Sequence, residues 1–209
     1  NVQGKAADDP LTEWTPALVA ERLGFALSHQ RSAAQPVPRP PSICPGCPYR
    51  LFGEEVAAMR KKKLIDVVFG DIGCYALLYY LNAVDTALCM GAGEAMRQGF
   101  VLSRPEEVSR CLAVVGDSTE CHTGMAATRN AVFRNIAGVK VVLDNSWAAM
   151  TGGQPSPTSP HNLAGEEIRF DLPKSIEAHG AKTHVIAAYD RKAVHAALTS
   201  ALADEIGRA

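Results

Sequence analysis

Two short stretches carry oxygen donors at a spacing that invites chemistry, Gly116-Asp117-Ser118 and Asp144-Asn145-Ser146. Each follows an apolar run, Leu112–Val115 and Val139–Leu143, of the kind that forms a strand buried on both faces. Residues 119–143 lie between the triplets, which is room for one helix and one strand. Both side chains therefore converge on one point if the two strands lie side by side and parallel. Open parallel sheets bind ligands beyond the carboxyl ends of their strands, near helix N-termini. One carboxylate and one amide oxygen, joined by a backbone carbonyl, are hard donors that suit Mg²⁺ or Ca²⁺ rather than zinc. With a single carboxylate the ion keeps positive charge for a phosphate, and the helix beginning near Thr119 offers free N–H groups to the same anion. Either triplet alone reads more readily as the turn that ends a strand, with Asp117 capping the next helix. The pair carries the functional reading.

Other reactive residues stand nearby. Of the six cysteines, Cys44 and Cys47 form a C-x-x-C, which reads as metal or cluster ligation or as redox chemistry. Cys89, Cys111 and Cys121 read as small buried hydrophobes. His122 faces the substrate as a proton donor, or is a surface or packing histidine. Glu120 reads as a first-turn carboxylate favoured by the helix dipole, and Lys61–Lys63 as a solvated helix end.

Stepping outward, strands alternate with helices. Strands are expected at Ile65–Phe69, Leu112–Val115, Val139–Leu143 and His184–Ala187. Helices are expected at Leu51–Lys62, around Glu94–Phe100 after the Gly91-Ala92-Gly93 turn, at Thr123–Asn135 and at Arg191–Ile206. This order implies βαβ units and a mostly parallel sheet covered on both faces. Ahead of them, Thr15-Pro16 supplies a cap and a first helical proline for a helix ending near Gln30. Prolines at 36, 38, 40 and 41 make an extended strap. Residues 1–42 thus read as an arm or linker and 43–209 as the main domain. The loop Met150–Glu166, rich in Gly, Pro, Ser and Thr, reads as functional or mobile.

Composition narrows the partners. With 21 Lys+Arg against 22 Asp+Glu the formal charge is −1, which leaves no electrostatic footprint for nucleic acid or an anionic membrane. The longest apolar run, Cys74–Leu81, falls far short of the ~20 residues of a spanning helix. The first ten residues are polar and do not read as a signal peptide, so a cytoplasmic setting is expected, with free thiols rather than disulfides. The chain opens at Asn1 and reads as a piece of something longer.

Gly-Asp-Ser and Asp-Asn-Ser at this spacing resemble the thiamine diphosphate signature, usually Gly-Asp-Gly followed by Asn-Asn. Met150-Thr151-Gly152-Gly153-Gln154 resembles the Thr-Gly-Gly-Gln stretch of the 2-oxoacid:ferredoxin oxidoreductases. Cys44-Pro45-Gly46-Cys47-Pro48, Gly70-Asp71-Ile72-Gly73-Cys74 and Asn82-Ala83-Val84-Asp85-Thr86 add to the likeness. Over roughly residues 40–190 the chain resembles the thiamine diphosphate-binding domain of that superfamily, as found in the large subunit of its indolepyruvate members.

The resemblance implies an α/β, three-layer thiamine diphosphate-binding fold with a mostly parallel sheet and helices on both faces. It implies Mg²⁺ held by Asp117, Asn145 and the carbonyl of Trp147. Cofactor contacts would come from Ile72, Gly73, Cys74, Met90, Gly91, Gly116, Asp117, Ser118, Thr119, Asn145, Trp147, Met150 and Thr151. Cys44, Cys47 and Cys74 match three positions of a 4Fe-4S site, whose fourth cysteine this sequence lacks after Cys121. The implied reaction is oxidative decarboxylation of a 2-oxoacid, an arylpyruvate, to acyl-CoA and CO₂, with electrons passed to a ferredoxin-type acceptor. A glutamate for the cofactor's aminopyrimidine must come from a partner domain or subunit. A non-oxidative thiamine enzyme (decarboxylase or acetolactate synthase-like) and a non-catalytic scaffold or electron-transfer module of the same fold are the alternatives.

Overall fold

The structure, a computed structural model, describes residues 15–26, 37, 38, 40–168 and 170–204. It divides into two compact units, Asn1–Pro40 and Pro41–Ala209. In the first, helix α1 spans Pro16–Arg22, and the Thr15 hydroxyl accepts from Leu18 N at 3.2 Å, as the Thr-Pro start predicts. The helix stops at Arg22 rather than near Gln30. Leu23 caps it and Gly24 turns left-handed at φ 73°, a conformation that a helix cannot pass through. Residues 27–36, expected to hold the end of that helix and most of the strap, lie outside the described residues.

The second unit is built on four parallel strands in the order β2-β1-β3-β4. These are β1 Val67–Gly70, β2 Thr86–Ala87, β3 Cys111–Gly116 and β4 Val139–Leu143. All three pairings are parallel, with Gly70 opposite Val114 and Gly116 opposite Leu143. Every residue of β3 is buried, which explains its continuous apolar run. Side chains alternate between two cores. Val68, Leu112 and Val114 join Tyr49, Phe52, Val56 and Met59 of helix α2 (Pro48–Lys61) and Leu198 and Leu202 of helix α7 (Arg191–Ala203). Phe69 and Cys111 point the other way, to Met96, Phe100 and Val101 of helix α3 (Ala92–Ser103). This is the three-layer α/β arrangement, with helices on both faces.

Asp85, in the Asn82–Thr86 stretch, does structural work. Its carboxylate accepts from Val68 N at 2.8 Å and from Arg60 of α2, so it clamps α2 to the sheet. The chain after β3 forms one helical run: α4 (Asp117–Thr119), a π turn (Glu120–Gly124), then α5 (Met125–Phe133). The run begins earlier than the expected Thr123. A 3-10 helix occupies the apolar run Cys74–Leu81, and α6 spans Leu172–Glu177. His184–Ala187 is not a strand. It pairs with no strand among the described residues, and Val185 is 79% exposed, so its apolar side has nothing to pack against. No helix among the described residues is long and apolar enough to cross a membrane.

Candidate functional site

The carboxyl ends of β1, β3 and β4 face one cleft of about 100 Å³. Lining it are Ile72, Gly73, Cys74, Met90, Gly116, Asp117, Ser118, Thr119, Asn145, Trp147, Met150 and Thr151, together with Tyr49, Tyr75, Ala148 and Ala149. The parallel register of β3 and β4 brings the two triplets together, as their spacing requires. The Asn145 backbone N–H reaches the Asp117 carboxylate and stabilises its charge.

Asp117 does not cap its helix: Gly116 occupies the N-cap position without a side-chain bond. Its carboxylate, 2% exposed, accepts instead from the Thr158 hydroxyl. Burial pushes the carboxyl above its usual range, the bond from Thr158 pulls it back, and the nearby Asp144 adds to the rise. Asn145 Oδ1 accepts from Trp147 N at 3.1 Å, and Asp144 Oδ1 from Ser146 N at 2.8 Å. These two Asx turns fold the strand end so that the Trp147 backbone returns to the cleft. Ser118 Oγ is buried without a hydrogen-bond partner.

A second buried polar group braces the floor. Asp71, fully buried after β1, accepts from the Tyr75 hydroxyl and from Gly91 N at 2.8 Å. Tyr75 also bonds Thr119 Oγ1 at 3.1 Å, linking the β1 end to the β3 end. Burial raises the carboxyl of Asp71 and the phenol of Tyr75 above their ordinary values. Tyr49 donates to Leu143 O at 2.8 Å. The sequence signal for Asp71 was available: Gly70-Asp71 repeats Gly116-Asp117 at the end of the neighbouring strand. Tyr49 and Thr158 act through contacts distant in sequence and carry no local signal, while Tyr75 reaches both Asp71, four residues back, and the distant Thr119.

Gly91 does not line this cleft. It caps α3 at φ 85°, where a side chain would strike Thr123, and it faces a separate cavity of about 380 Å³ between α3 and α5. His122 is exposed on the π turn and is also outside the cleft lining. Cys121 is pushed up to about 11 by burial and by Asp117, Glu120 and Asp144, so it stays a thiol. Glu120 does stand in a first turn, but more than the helix dipole meets its charge. It is fully buried, where Lys140 of β4 donates to both its oxygens at 2.7 and 2.8 Å and Thr128 donates at 2.7 Å.

The donor chemistry fits a hard divalent ion. Asp117 is the only charged side chain among the residues lining the cleft, so no lysine or arginine there meets a phosphate's charge. A cation held by Asp117, the Asn145 carboxamide and the Trp147 carbonyl would supply it. The unpartnered Ser118 hydroxyl is a further polar group beside such a ligand. Cys44, Cys47 and Cys74 are free thiols; burial raises the Cys74 thiol, and the nearby Cys47 and Cys44 add to the rise. Among the described residues no group of three His, Cys, Asp or Glu is placed to hold a metal. Four thiolates are the usual cluster set.

Comparisons with known proteins bear on the family and the fold. The family described as thiamine pyrophosphate enzyme, C-terminal TPP binding domain, matches residues 71–207. The indolepyruvate oxidoreductase subunit IorA of Thermococcus kodakarensis is 36% identical over 180 residues, 79% of this chain and 27% of that protein. The 2-oxoglutarate synthase subunit KorB of Archaeoglobus fulgidus is 30% identical over 149 residues, 66% of this chain and 55% of that protein. The chain thus spans about a quarter of the IorA length. A solved 2-oxoglutarate:ferredoxin oxidoreductase from Magnetococcus marinus, with 2-oxoglutarate, coenzyme A and succinyl-CoA bound, superposes with a TM-score of 0.63 at 22% identity, covering 78% of this chain and 60% of that one. It shares the fold.

Proposed function

Because this chain belongs to the thiamine pyrophosphate enzyme family, whose C-terminal TPP binding domain it carries, we propose that it holds the Mg²⁺-diphosphate end of thiamine diphosphate in a 2-oxoacid:ferredoxin oxidoreductase. The observation that carries this reading is the meeting of Asp117 and Asn145 in one cleft whose only charged side chain is Asp117. In this reading Asp117, Asn145 and the carbonyl of Trp147 hold the ion, and Ser118 and Thr119 donate to diphosphate oxygens. Ile72, Gly73, Cys74, Met90, Met150 and Thr151 wall the cleft and exclude water from the ring-bearing end of the cofactor. When bound, thiamine diphosphate supplies the nucleophilic carbon and electron sink for decarboxylation. His122, on the exposed π turn, donates a proton to a substrate entering over that turn.

The substrate we propose is an arylpyruvate, from the likeness to IorA, with coenzyme A accepting the acyl group and a ferredoxin-type carrier taking the electrons in the cytoplasm. The cleft is small against the roughly 300–1,000 Å³ of a typical ligand pocket. A partner domain or subunit supplies the remaining wall and the glutamate for the aminopyrimidine. Likeness to KorB makes 2-oxoglutarate the second substrate to test. The test is viologen dye reduction by the full-length protein with its partner, on indolepyruvate and on 2-oxoglutarate, with and without coenzyme A. Reduction with indolepyruvate that requires coenzyme A is expected. CO₂ release without dye reduction would replace this reading by a non-oxidative one, and neither signal under any pairing would leave a non-catalytic module.

A further inference from the structure

Residues 156–159, Ser-Pro-Thr-Ser, form a knot of hydroxyls that touches both triplets at once. Ser156 N donates to Ser159 Oγ at 2.9 Å, and Ser156 Oγ meets Thr158 Oγ1 at 2.7 Å. From this knot Thr158 donates to Asp117 Oδ2, at the end of β3. Ser159, 1% exposed, donates to the backbone carbonyl of Ser146, between Asn145 and Trp147. Ser146 itself sits at φ 62°, a left-handed conformation that a residue with a side chain adopts at a cost. The carbonyl bond from Ser159 and the Asx bond from Asp144 hold it there.

We propose that Thr158 and Ser159 are positioning residues for the metal ligands: one hydroxyl fixes the rotation of the Asp117 carboxylate, the other fixes the turn that presents Asn145 and the Trp147 carbonyl. The proposal rests on the ligand assignment made above. The physical logic is that of an outer coordination shell. A carboxylate with one oxygen engaged by a fixed donor keeps the other oriented, and a backbone carbonyl contributes only if its peptide is held. Loss of such partners commonly costs ten- to hundredfold in metal affinity. The knot also gives a function to the loop 150–166, whose composition marks it as functional or mobile.

The experiment uses the full chain, Mn²⁺ as the probe, and thiamine diphosphate at saturation, with free Mn²⁺ counted by electron paramagnetic resonance. Thr158→Val and Ser159→Ala are each expected to weaken Mn²⁺ binding roughly ten- to hundredfold, while Thr158→Ser, which keeps the hydroxyl, binds as the parent does. That rescue separates positioning from a general loss of structure, and circular dichroism of each variant confirms the fold. Asp117→Asn is the control for the underlying assignment. If the parent fails to bind Mn²⁺, or Asp117→Asn binds as the parent does, the ligand assignment falls. If Asp117→Asn loses binding while Thr158→Val and Ser159→Ala keep it, the positioning proposal alone is overturned. Tighter binding by Thr158→Val overturns it too, since the hydroxyl would then be a competitor of the metal.

Discussion

At the scale of single residues, the acids around the β3 end divide by what meets their charge. Asp117 is buried with hydroxyl and amide donors and, among the described residues, no basic partner. Glu120, three residues on, is buried against Lys140, which reaches across from β4. Glu120 opens the π turn, and an extra helical residue of this kind commonly marks a functional segment. Removing one member of the Glu120–Lys140 pair leaves an uncompensated buried charge, so Lys140→Met is expected to destabilise the protein by about 3–5 kcal/mol in urea denaturation. The double variant Glu120→Gln/Lys140→Met should lose less than Lys140→Met alone, and a larger loss would show that the pair is not the unit we describe. None of this was legible from Glu120 in the sequence, because its partner stands twenty residues away on another strand. Asp117 and Asn145 were legible, because Gly116-Asp117 and Asp144-Asn145 follow directly on the apolar stretches Leu112–Val115 and Val141–Leu143 where the two strands end.

At the scale of elements, legibility followed burial. β3, buried throughout, announces itself by an unbroken apolar run, half-buried β4 by a run interrupted at Lys140, and α2 by Tyr49, Phe52, Val56 and Met59 at helical spacing. The segment His184–Ala187 carries the same β-branched signal yet remains unpaired, since strand propensity is realised only against a neighbour. The 3-10 helix Cys74–Leu81 was visible only as an apolar run, because eclipsed i, i+3 side chains leave no alternating or helical period. Close packing of α3 on the sheet is a contact that composition hides: a side chain at Gly93 would come within 2.9 Å of the Phe69 carbonyl oxygen. The seam between α2 and α7 depends on acidity. Glu55 accepts from Arg191 Nε at 3.0 Å and bonds His195 Nδ1 at 2.6 Å. Burial opposes the charged form, but the bonds from Arg191 and His195 outweigh it and hold the carboxyl below its usual value. A lowered folded value means that the stabilisation is present above the unfolded carboxylate range and is lost as pH falls through the folded value. Glu55→Gln should therefore cost about 1–2 kcal/mol near neutrality, the lower part of the range for bonds to charge because Arg191 is half exposed. Thermal unfolding of parent and variant should converge at acid pH, and a difference that persists there would contradict this account of the seam.

At the scale of the whole molecule, the unit Pro41–Ala209 is a sheet whose strand ends meet at one cleft. Its cleft is floored by Asp71, Tyr75 and Thr119, closed on one side by the 156–159 knot, and rimmed by Ile72, Met90, Trp147 and Met150, each 39–45% exposed. Apolar side chains around a polar centre are what a partner wall would cover. The fold class and the two triplets could be read from spacing and patterning. The bonds Tyr75–Thr119, Thr158–Asp117 and Ser159–Ser146 that aim them could not, since each joins residues far apart in sequence through a side-chain hydroxyl. The account stands on two neighbouring strands delivering one acid and one carboxamide to a shared divalent ion. Calorimetric titration of Mg²⁺ into the full-length protein at saturating thiamine diphosphate tests this most directly, with Asp117→Ala and Asn145→Ala beside the parent. The account predicts that the parent binds one Mg²⁺ and that each variant loses that binding by at least about a hundredfold, roughly the worth of one charged or coordinating ligand at 1.4 kcal/mol per factor of ten. Binding that survives unchanged in either variant would contradict it.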